Sequence, residues 1–494
     1  MTKASQDVVV VGAGVVGSAC AYYLARRGAR VTLLDSRPAL SYTSSQSTEC
    51  YRNYWAGEPA MTAFMNHSID LLEQHAADGG NSFSINRRGY AFLSRTSAGA
   101  AKHAAAASMD AKRLGLGDRE SIHADGGHGM IYCGATQAYD AKDDRVHAFQ
   151  GQQACTSFFG SLPPFLSPSI ASVLFSTRCG WMNAQQMGSY LLASARDAGA
   201  STIIPATLAA IRTDPCGAVQ GVVARTSANA VHEIPCGAVV NAAGPFASEV
   251  SRLLLSGVEG GSTDSHHLLL PPLTNEIHAK AILRDTEGVV PPDAPMMIFD
   301  DEVALEWTDE EREALEAMGG FEATLTRPLP AGAHFRPYPG ATNSLLLLWE
   351  ALHMDVAVAD PPPADPQLRD STLVAELLLR GLSQMVPGLS ERYLASDGTM
   401  QASVVVDGGY YTKAPDNRPI IGPLPGAPRG AYVCAGLSGY GVMAANAAGD
   451  LLAAHVTGEA LPSAYAGDFI PERWCDAAYR DQVASGAAGA GLQI

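Results

Sequence analysis

The sequence predicts an α/β chain in which an open, doubly wound parallel sheet is interleaved with a second, mixed-sheet (α+β) domain. Three observations carry this. A β-branched run, Val8 to Val11, ends in Gly12-Ala13-Gly14-Val15-Val16-Gly17 and passes through a helical pattern into a second strand. The same order of strand, glycine turn and helix returns around Ala238 to Gly244 and from Ala431 to His455. The segments between lack that order and read as strands and helices of another sheet.

Taken in order, Val16, Cys20, Tyr23 and Leu24 share one helical face, Arg26 and Arg27 sit where the helix dipole favours cations, and Gly28 supplies a left-handed stop. Val31 to Leu34 forms the second strand and ends at Asp35, completing a β-α-β unit. Met187 to Ala198 reads as a helix stopped by Gly199, Ser201 to Ile211 as a strand, and Gly221 to Ala224 with Val231 to Ile234 as a meander. Near the C-terminus, strand Ala431 to Ala435, turn Gly436 to Gly441 and helix Val442 to His455 follow one another. Residues 268–285 and 333–352 are strand-like, and Asp360 to Pro363 leads into an amphipathic helix, Gln367 to Met385. The expected division is a first domain from 1–85, 181–250 and 401–470, and a second from 86–180 and 251–400. Asp300 to Glu316 carries nine acids against Arg312 alone, the pattern of a solvated helix or lid, and 477–494 is Ala- and Gly-rich without periodicity, so a flexible tail is expected.

The 494 residues include 33 Lys and Arg against 50 Asp and Glu, a net charge of -17 that repels a phosphate backbone and argues against nucleic acid as a partner. Nine cysteines fall at irregular spacings with no C-x-x-C pair, the usage of a reducing compartment. No apolar run approaches the roughly 20 residues of a membrane helix, and a polar start passes directly into the first strand. The expectation is a cytoplasmic protein with no membrane partner.

G-x-G-x-x-G is specific here because it follows a strand, opens a helix and is answered by Asp35 at the end of the next strand, eighteen residues after Gly17. Gly12 allows the tight turn, Gly14 admits a pyrophosphate to the backbone, Gly17 lets helix and strand pack closely, and Asp35 can accept ribose hydroxyls. This is a Rossmann-like dinucleotide site, and the acid at 35 disfavours NADP. The fingerprint does not separate NAD from FAD. The distant turn Gly436 to Gly441 does bear on it, because its backbone N–H groups and the positive helix end behind it would stabilise negative charge at a flavin N1 and O2 locus.

At these residues the chain resembles the FAD-dependent amine and amino-acid oxidoreductases related to glycine oxidase, sarcosine oxidase, dimethylglycine dehydrogenase and D-amino-acid oxidase. The resemblance runs from Val8 to about His455. Its marks are Val11 to Gly17 with Asp35, Ser44-Ser45 followed by Arg52, Gly89 to Leu93, Gly180 to Asn183, Val240-Asn241-Ala242-Ala243-Gly244, Pro415 to Gly422, and Gly436-Leu437-Ser438-Gly439-Tyr440-Gly441. It implies FAD held by Gly12, Gly14, Val16, Gly17, Asp35, Ser44, Ser45, Arg52, Gly244, Gly439, Tyr440, Gly441 and Val442, with Ser44 and Ser45 by the pyrophosphate. It also implies that Arg52 helps to hold a substrate carboxylate.

The departures are informative. Met443 stands where sarcosine oxidases carry a carboxylate-binding lysine, and Tyr410 and Tyr411 where glycine oxidases carry an arginine. The flavin-linking cysteine of sarcosine oxidases would fall near Gly409, and no histidine lies between Ser44 and Glu58, so FAD is expected to be non-covalent. The lysine with which those oxidases activate oxygen would fall in the apolar run Leu345 to Leu348. Outside the resemblance, Glu276, His278 and Lys280 alternate in a strand-like run and so share one face, as do His334 and Arg336. Either face could orient an amine or take its proton, and either could be a plain paired strand face. Asp264, His266 and His267 lack a recognised ligand spacing, and no metal is expected. Gly-x-Ser-x-Gly is absent, which argues against an α/β-hydrolase.

The expected function is an FAD-dependent oxidase or dehydrogenase acting on CH–NH or CH–NH2 groups, with Arg52, Glu276, His278, Tyr411 and Arg336 as candidate catalytic residues. Its expected partners are a small-molecule substrate and oxygen or another electron acceptor. Two alternatives stay open: a flavoenzyme of secondary metabolism oxidising a C–C or C–O bond in a non-amino-acid substrate, and an FAD-bearing assembly or electron-transfer protein without its own turnover.

Overall fold

The structure is a computed structural model that describes residues 7–55, 57–118, 121–126, 129–134, 143–199, 201–256, 271–338, 343–355, 368, 370–395 and 398–486. Two large sheets organise the described residues, beside a two-stranded one in which Cys50–Arg52 pairs with Cys179–Trp181. The first has the strand order Val231–Pro235, Val219–Thr226, Ser201–Thr213, Arg30–Asp35, Asp7–Val11, Ala238–Asn241, Ala431–Ala435, Ile420–Pro423. Its five central strands are parallel, with Val10 opposite both Leu33 and Val240. The strand Asp7–Val11, apolar and buried from Val8 onward, sits in the middle because a strand buried on both faces has no polar side to present.

The helix Val15–Arg26 packs against the sheet and against Ala184–Asp197 and Gly441–Thr457. Gly12 and Gly17 make this approach possible. Gly12 has φ +107°, a Cβ there would lie 2.3 Å from the Ala242 carbonyl oxygen, and a Cβ on Gly17 would lie 1.9 Å from the Gly12 oxygen. Gly17 thus acts in packing, behind the turn. Gly458, in the left-handed region at φ 69°, closes the C-terminal helix as its position predicts.

The second sheet runs Met354–Asp355, Thr274–Arg284, Ser344–Leu348, Ala333–Tyr338, Met296–Phe299, Tyr90–Ser94, Ser172–Ser176, Val146–Gln150, Ile122–Ala124, and Val404–Lys413 also pairs with Thr274–Arg284. Two of its pairs, Met296–Phe299 with Tyr90–Ser94 and Ile122–Ala124 with Val146–Gln150, are parallel and the others antiparallel, so it is mixed. Where the sequence places 401–470 with the dinucleotide unit, Val404–Lys413 joins this second sheet, opposing Glu276 to Tyr411, His278 to Gly409 and Lys280 to Asp407. Its outer face is covered by Ser371–Ser383, a helix capped by the Asp370 carboxylate, whose Val374, Leu377, Leu378 and Leu382 enter the core.

The acidic stretch contains an exposed helix, Asp309–Met318, with a capping box between Thr308 and Glu311. Asp264, His266 and His267 lie outside the described residues. The sequence predicts no structure from 477 onward, yet Ala477–Ala484 is a helix capped by Asp476. It is too short for a period to show. What fixes it is polar: the buried Asp416 carboxylate accepts from Tyr479 Oη at 2.7 Å and from Arg473 Nε at 2.9 Å, while Tyr479 and Val483 pack on the apolar cluster around Val9, Val11, Val239 and Val433 of the first sheet.

Candidate active site

Two adjoining cavities lie between the sheets. The larger, ≈ 350 Å³, is bounded by the carboxyl ends of the parallel strands on one side and by strands Thr274–Arg284 and Val404–Lys413 on the other. The smaller, ≈ 60 Å³, opens beside it, and the two share Thr48, His278, Leu348, Tyr411 and Gly439.

The large cavity is built around two helix ends. Gly12, Gly14, Val15 and Val16 line it where Val15–Arg26 begins, and that helix has neither a side-chain cap nor an acid in its first turn. Its positive end is therefore open to the cavity. Ser44 Oγ accepts from Val15 N at 3.0 Å, and a Cβ on Gly14 would come within 3.2 Å of it. Asp35 lines the same wall, its two oxygens oriented by Ala13 N at 2.8 Å and Arg37 N at 2.9 Å. At the far end Gly439, Gly441 and Val442 line the start of Gly441–Thr457, another helix with no side-chain cap. Ser438 holds φ +47°, and its N–H donates to Thr412 O at 2.8 Å, which fixes the turn against the second sheet. Gly244 completes this set of sequence-predicted residues.

Sequence reasoning missed an aromatic wall of Tyr42, Phe246 and Tyr410, with the Arg37 guanidinium 4.4 Å from the Tyr42 ring centre and 4.8 Å from that of Phe246. It also missed Thr48, on a loop with no periodic signal. Two predicted residues take other places. Ser45 turns away from the cavity and donates to Tyr42 O at 2.7 Å, because adjacent residues of the 3-10 turn Thr43–Gln46 point in different directions. Arg336 lines neither cavity. Its guanidinium donates to Thr48 O at 2.8 and 3.1 Å and to Pro337 O at 3.1 Å, with Glu49 Oε2 at 3.3 Å, so it braces the loop that carries Thr48.

The small chamber holds Arg52, His334, Glu350 and Tyr440 in addition to the shared residues, and its apolar wall is Met296, Ile298, Leu348 and Met443. Arg52 is buried, with its guanidinium 4.3 Å from the Trp55 ring centre. Strand alternation explains why His278 reaches the chamber. Its Nε2 donates to Glu276 Oε2 at 3.0 Å, and Glu276 stands behind it, outside both cavities, bonded also by Lys413 Nζ at 2.6 Å. Burial raises the Glu276 pKa, but the bonds from His278 and Lys413 outweigh it and hold the carboxyl at about 2. For His278 burial pulls the pKa below the usual imidazole value, with the bond to Glu276 opposing. Its ring stacks on Tyr411 with centres 3.8 Å apart at 14°. Lys280, next on the same face, lines the large cavity and pairs with Asp407.

His334 is the second imidazole. Its Nδ1 donates to Gly332 O at 2.8 Å, and burial, helped by the nearby Arg52 charge, lowers its pKa to about 4. Each of the two rings thus has one nitrogen committed as a donor, leaving His278 Nδ1 and His334 Nε2 as acceptors with no protein partner among the described residues. Among the described residues no group of three or more His, Cys, Asp or Glu is placed to hold a metal. No described helix is long and apolar enough to cross a membrane.

Residues 7–455, which include every strand of both sheets, match the DAO family, FAD dependent oxidoreductase. The chain belongs to that family. The large cavity fits its FAD: two helix ends without side-chain caps, an oriented acid at the end of the second strand, and side-chain-free backbone at Gly12, Gly14, Gly439 and Gly441 along the lining. Among solved structures, L-proline dehydrogenase from P. horikoshii superposes with TM-score 0.66 at 17% identity, covering 95% of this chain and 98% of that one. Glycine oxidase from Bacillus cereus ATCC 14579 gives 0.61 at 15%, covering 92% and 95%. L-amino acid deaminase from Proteus vulgaris gives 0.62 at 13%, covering 95% and 97%. At these identities the likeness is one of fold. A curated glycerol-3-phosphate dehydrogenase of Mycobacterium leprae (strain TN) is 51% identical over 45 residues, 9% of this chain and 8% of that protein, so the match spans under a tenth of its length.

Proposed function

We propose that this FAD-dependent oxidoreductase oxidises the C–N bond of a small amine or amino acid, giving an imine that hydrolyses. The observation that supports the reading is the pair of imidazoles lining a small chamber beside the large cavity, His278 and His334, each with one ring nitrogen bonded as donor and a pKa lowered by burial. An ammonium offers N–H donors, and a chamber furnished with acceptors is complementary to it. The solved neighbours named for amino-acid substrates support the same direction.

In this reading Gly12, Gly14, Val16, Ser44, Asp35, Gly244, Gly439, Gly441 and Val442 hold FAD, and Gly409 and the histidine-free stretch 44–58 leave it non-covalent. Bound FAD supplies the hydride acceptor, N5, for the carbon that carries the nitrogen. His278 Nδ1 takes the proton that leaves the substrate nitrogen, and Glu276, held by Lys413, fixes the tautomer and stabilises the imidazolium that forms. Glu276 does not take that proton, since its carboxyl is held at about 2. Arg52 binds a substrate carboxylate, and Met296, Ile298, Leu348 and Met443 keep the chamber dry. Tyr411, whose hydroxyl is pushed above its usual pKa by burial, stays protonated and holds the His278 ring by stacking.

Anaerobic mixing of the holoenzyme with a panel of amines and amino acids, followed by flavin absorbance, tests this. Bleaching by members of the panel and not by the matching alcohols and hydroxy acids is expected. Bleaching confined to hydroxy compounds, or none at all, refutes it.

A further inference from the structure

The small chamber contains two full charges, Arg52 and Glu350, and the second has no part in the steps above. Glu350 opens the 3-10 turn Glu350–Leu352, and its backbone is fixed on both sides. Trp349, 1% exposed, donates from Nε1 to Pro330 O at 2.9 Å, and His353 Nδ1 donates to Glu350 O at 2.8 Å. Its side chain has a single long contact, Oε1 to Lys413 Nζ at 3.4 Å, while Lys413 lies closer to Glu276 at 2.6 Å. Oε2 has no protein partner among the described residues. The Glu350 charge nevertheless acts on Arg52, His278 and Tyr411, three other residues of the chamber wall.

The Glu350 side chain is 30% exposed and shares Lys413 with Glu276, which leaves one of its carboxylate oxygens open to a ligand's cation in the same chamber as Arg52. We propose that Glu350 is a specificity-determining residue that receives the cationic nitrogen of the substrate while Arg52 receives its carboxylate, so that the chamber selects zwitterions over simple amines and over simple acids. This rests on the amine-oxidising reading and narrows it: an anion without a nitrogen is repelled by Glu350, and an amine without a carboxylate is repelled by Arg52.

Three isosteres that have no hydrogen on the carbon bearing nitrogen, and so cannot be oxidised to imines, test it by binding alone. They are 2-aminoisobutyrate, a zwitterion; pivalate, in which methyl replaces the ammonium; and tert-butylammonium, which lacks the carboxylate. Each is titrated into oxidised holoenzyme at neutral pH, and the perturbation of the flavin absorbance gives Kd. Wild type is expected to prefer the zwitterion to both others by about tenfold or more, the effect of a charged hydrogen bond. Glu350→Gln should remove the preference over pivalate, by weakening the zwitterion and leaving pivalate equal or tighter. An equal change for both ligands, or an unchanged preference, overturns the assignment. If E350Q does not retain flavin, the wild-type comparison decides: preference for the zwitterion over both isosteres supports it, and equal binding or no binding of the three overturns it. Failure of the amine-oxidising reading would appear separately, as an absence of bleaching in the panel of oxidisable amines.

Discussion

The wall common to both cavities can be tested by adding one carbon. A Cβ at Gly439 would lie 2.3 Å from Tyr411 Cε2 and 2.6 Å from its Cζ, whereas ordinary contact begins at 3.4 Å. Gly439 is not in the left-handed region, so alanine suits its backbone and the effect of Gly439→Ala is steric. The Tyr411 ring must move by about 1 Å, and it is stacked on His278, so the imidazole loses its support. Overpacking of this kind costs about 1–3 kcal/mol of stability. A shift of about 1 Å in a positioning group can slow the chemical step by about 10²-fold. The assays are urea unfolding and anaerobic stopped-flow reduction of the flavin. Adding Tyr411→Leu to Gly439→Ala should give a loss of stability clearly smaller than the sum of the two single losses, because the clash has been removed. Additive losses, or a Gly439→Ala enzyme that reduces its flavin at the wild-type rate, would refute the packing argument.

Asp35→Ala should weaken FAD retention by about 1–3 kcal/mol, the loss of hydrogen bonds to a charged acceptor, measured by dialysis and fluorescence of released flavin; unchanged affinity would mean another acid holds the ribose. Arg52→Lys should lower kcat/KM for a carboxylate-bearing substrate through both parameters, because a point charge does not reproduce a planar fork, and wild-type kinetics would remove Arg52 from the site. His278→Ala and Glu276→Gln should slow anaerobic flavin reduction by about 10²-fold or more with little change in Tm. His278 is competent when neutral, so the rate falls as pH drops through its pKa; Glu276 raises that pKa, so Glu276→Gln should move the acid limb to lower pH, and an unmoved limb assigns the ionisation elsewhere. Acid precipitation should leave colourless protein and a yellow supernatant, and flavin retained in the pellet would show a covalent link.

Local order was the legible part of the site. The strand, Gly12 to Gly17, the helix and Asp35 lie within thirty residues, and each has a geometric need that only certain residue types meet. Period-2 alternation likewise placed His278 and Lys280 on one face, and both reach the large cavity. Alternation gives a face but not what lies above each position: His334 meets the chamber while Arg336, two residues on, meets the backbone of Thr48. Residues such as Thr48, Phe246 and Glu350 come from irregular turns, and their place depends on tertiary packing that no local pattern encodes. The helix Ala477–Ala484 was hidden for a related reason, since a single buried carboxylate 61 residues before its first residue anchors it.

The order in which these walls appear along the chain governs when the protein can acquire its flavin. The large cavity takes residues from the first β-α-β unit, from 206–208 and 242–253, from His278 and Lys280, from 409–412, and finally from 434–442. The dinucleotide fingerprint therefore precedes the last wall of its cavity by more than four hundred residues. In the proposed reading the FAD pocket is complete only when residues up to 442 are in place. On that reading bound FAD stabilises the assembly of the two sheets by mass action, because its pocket is built from both.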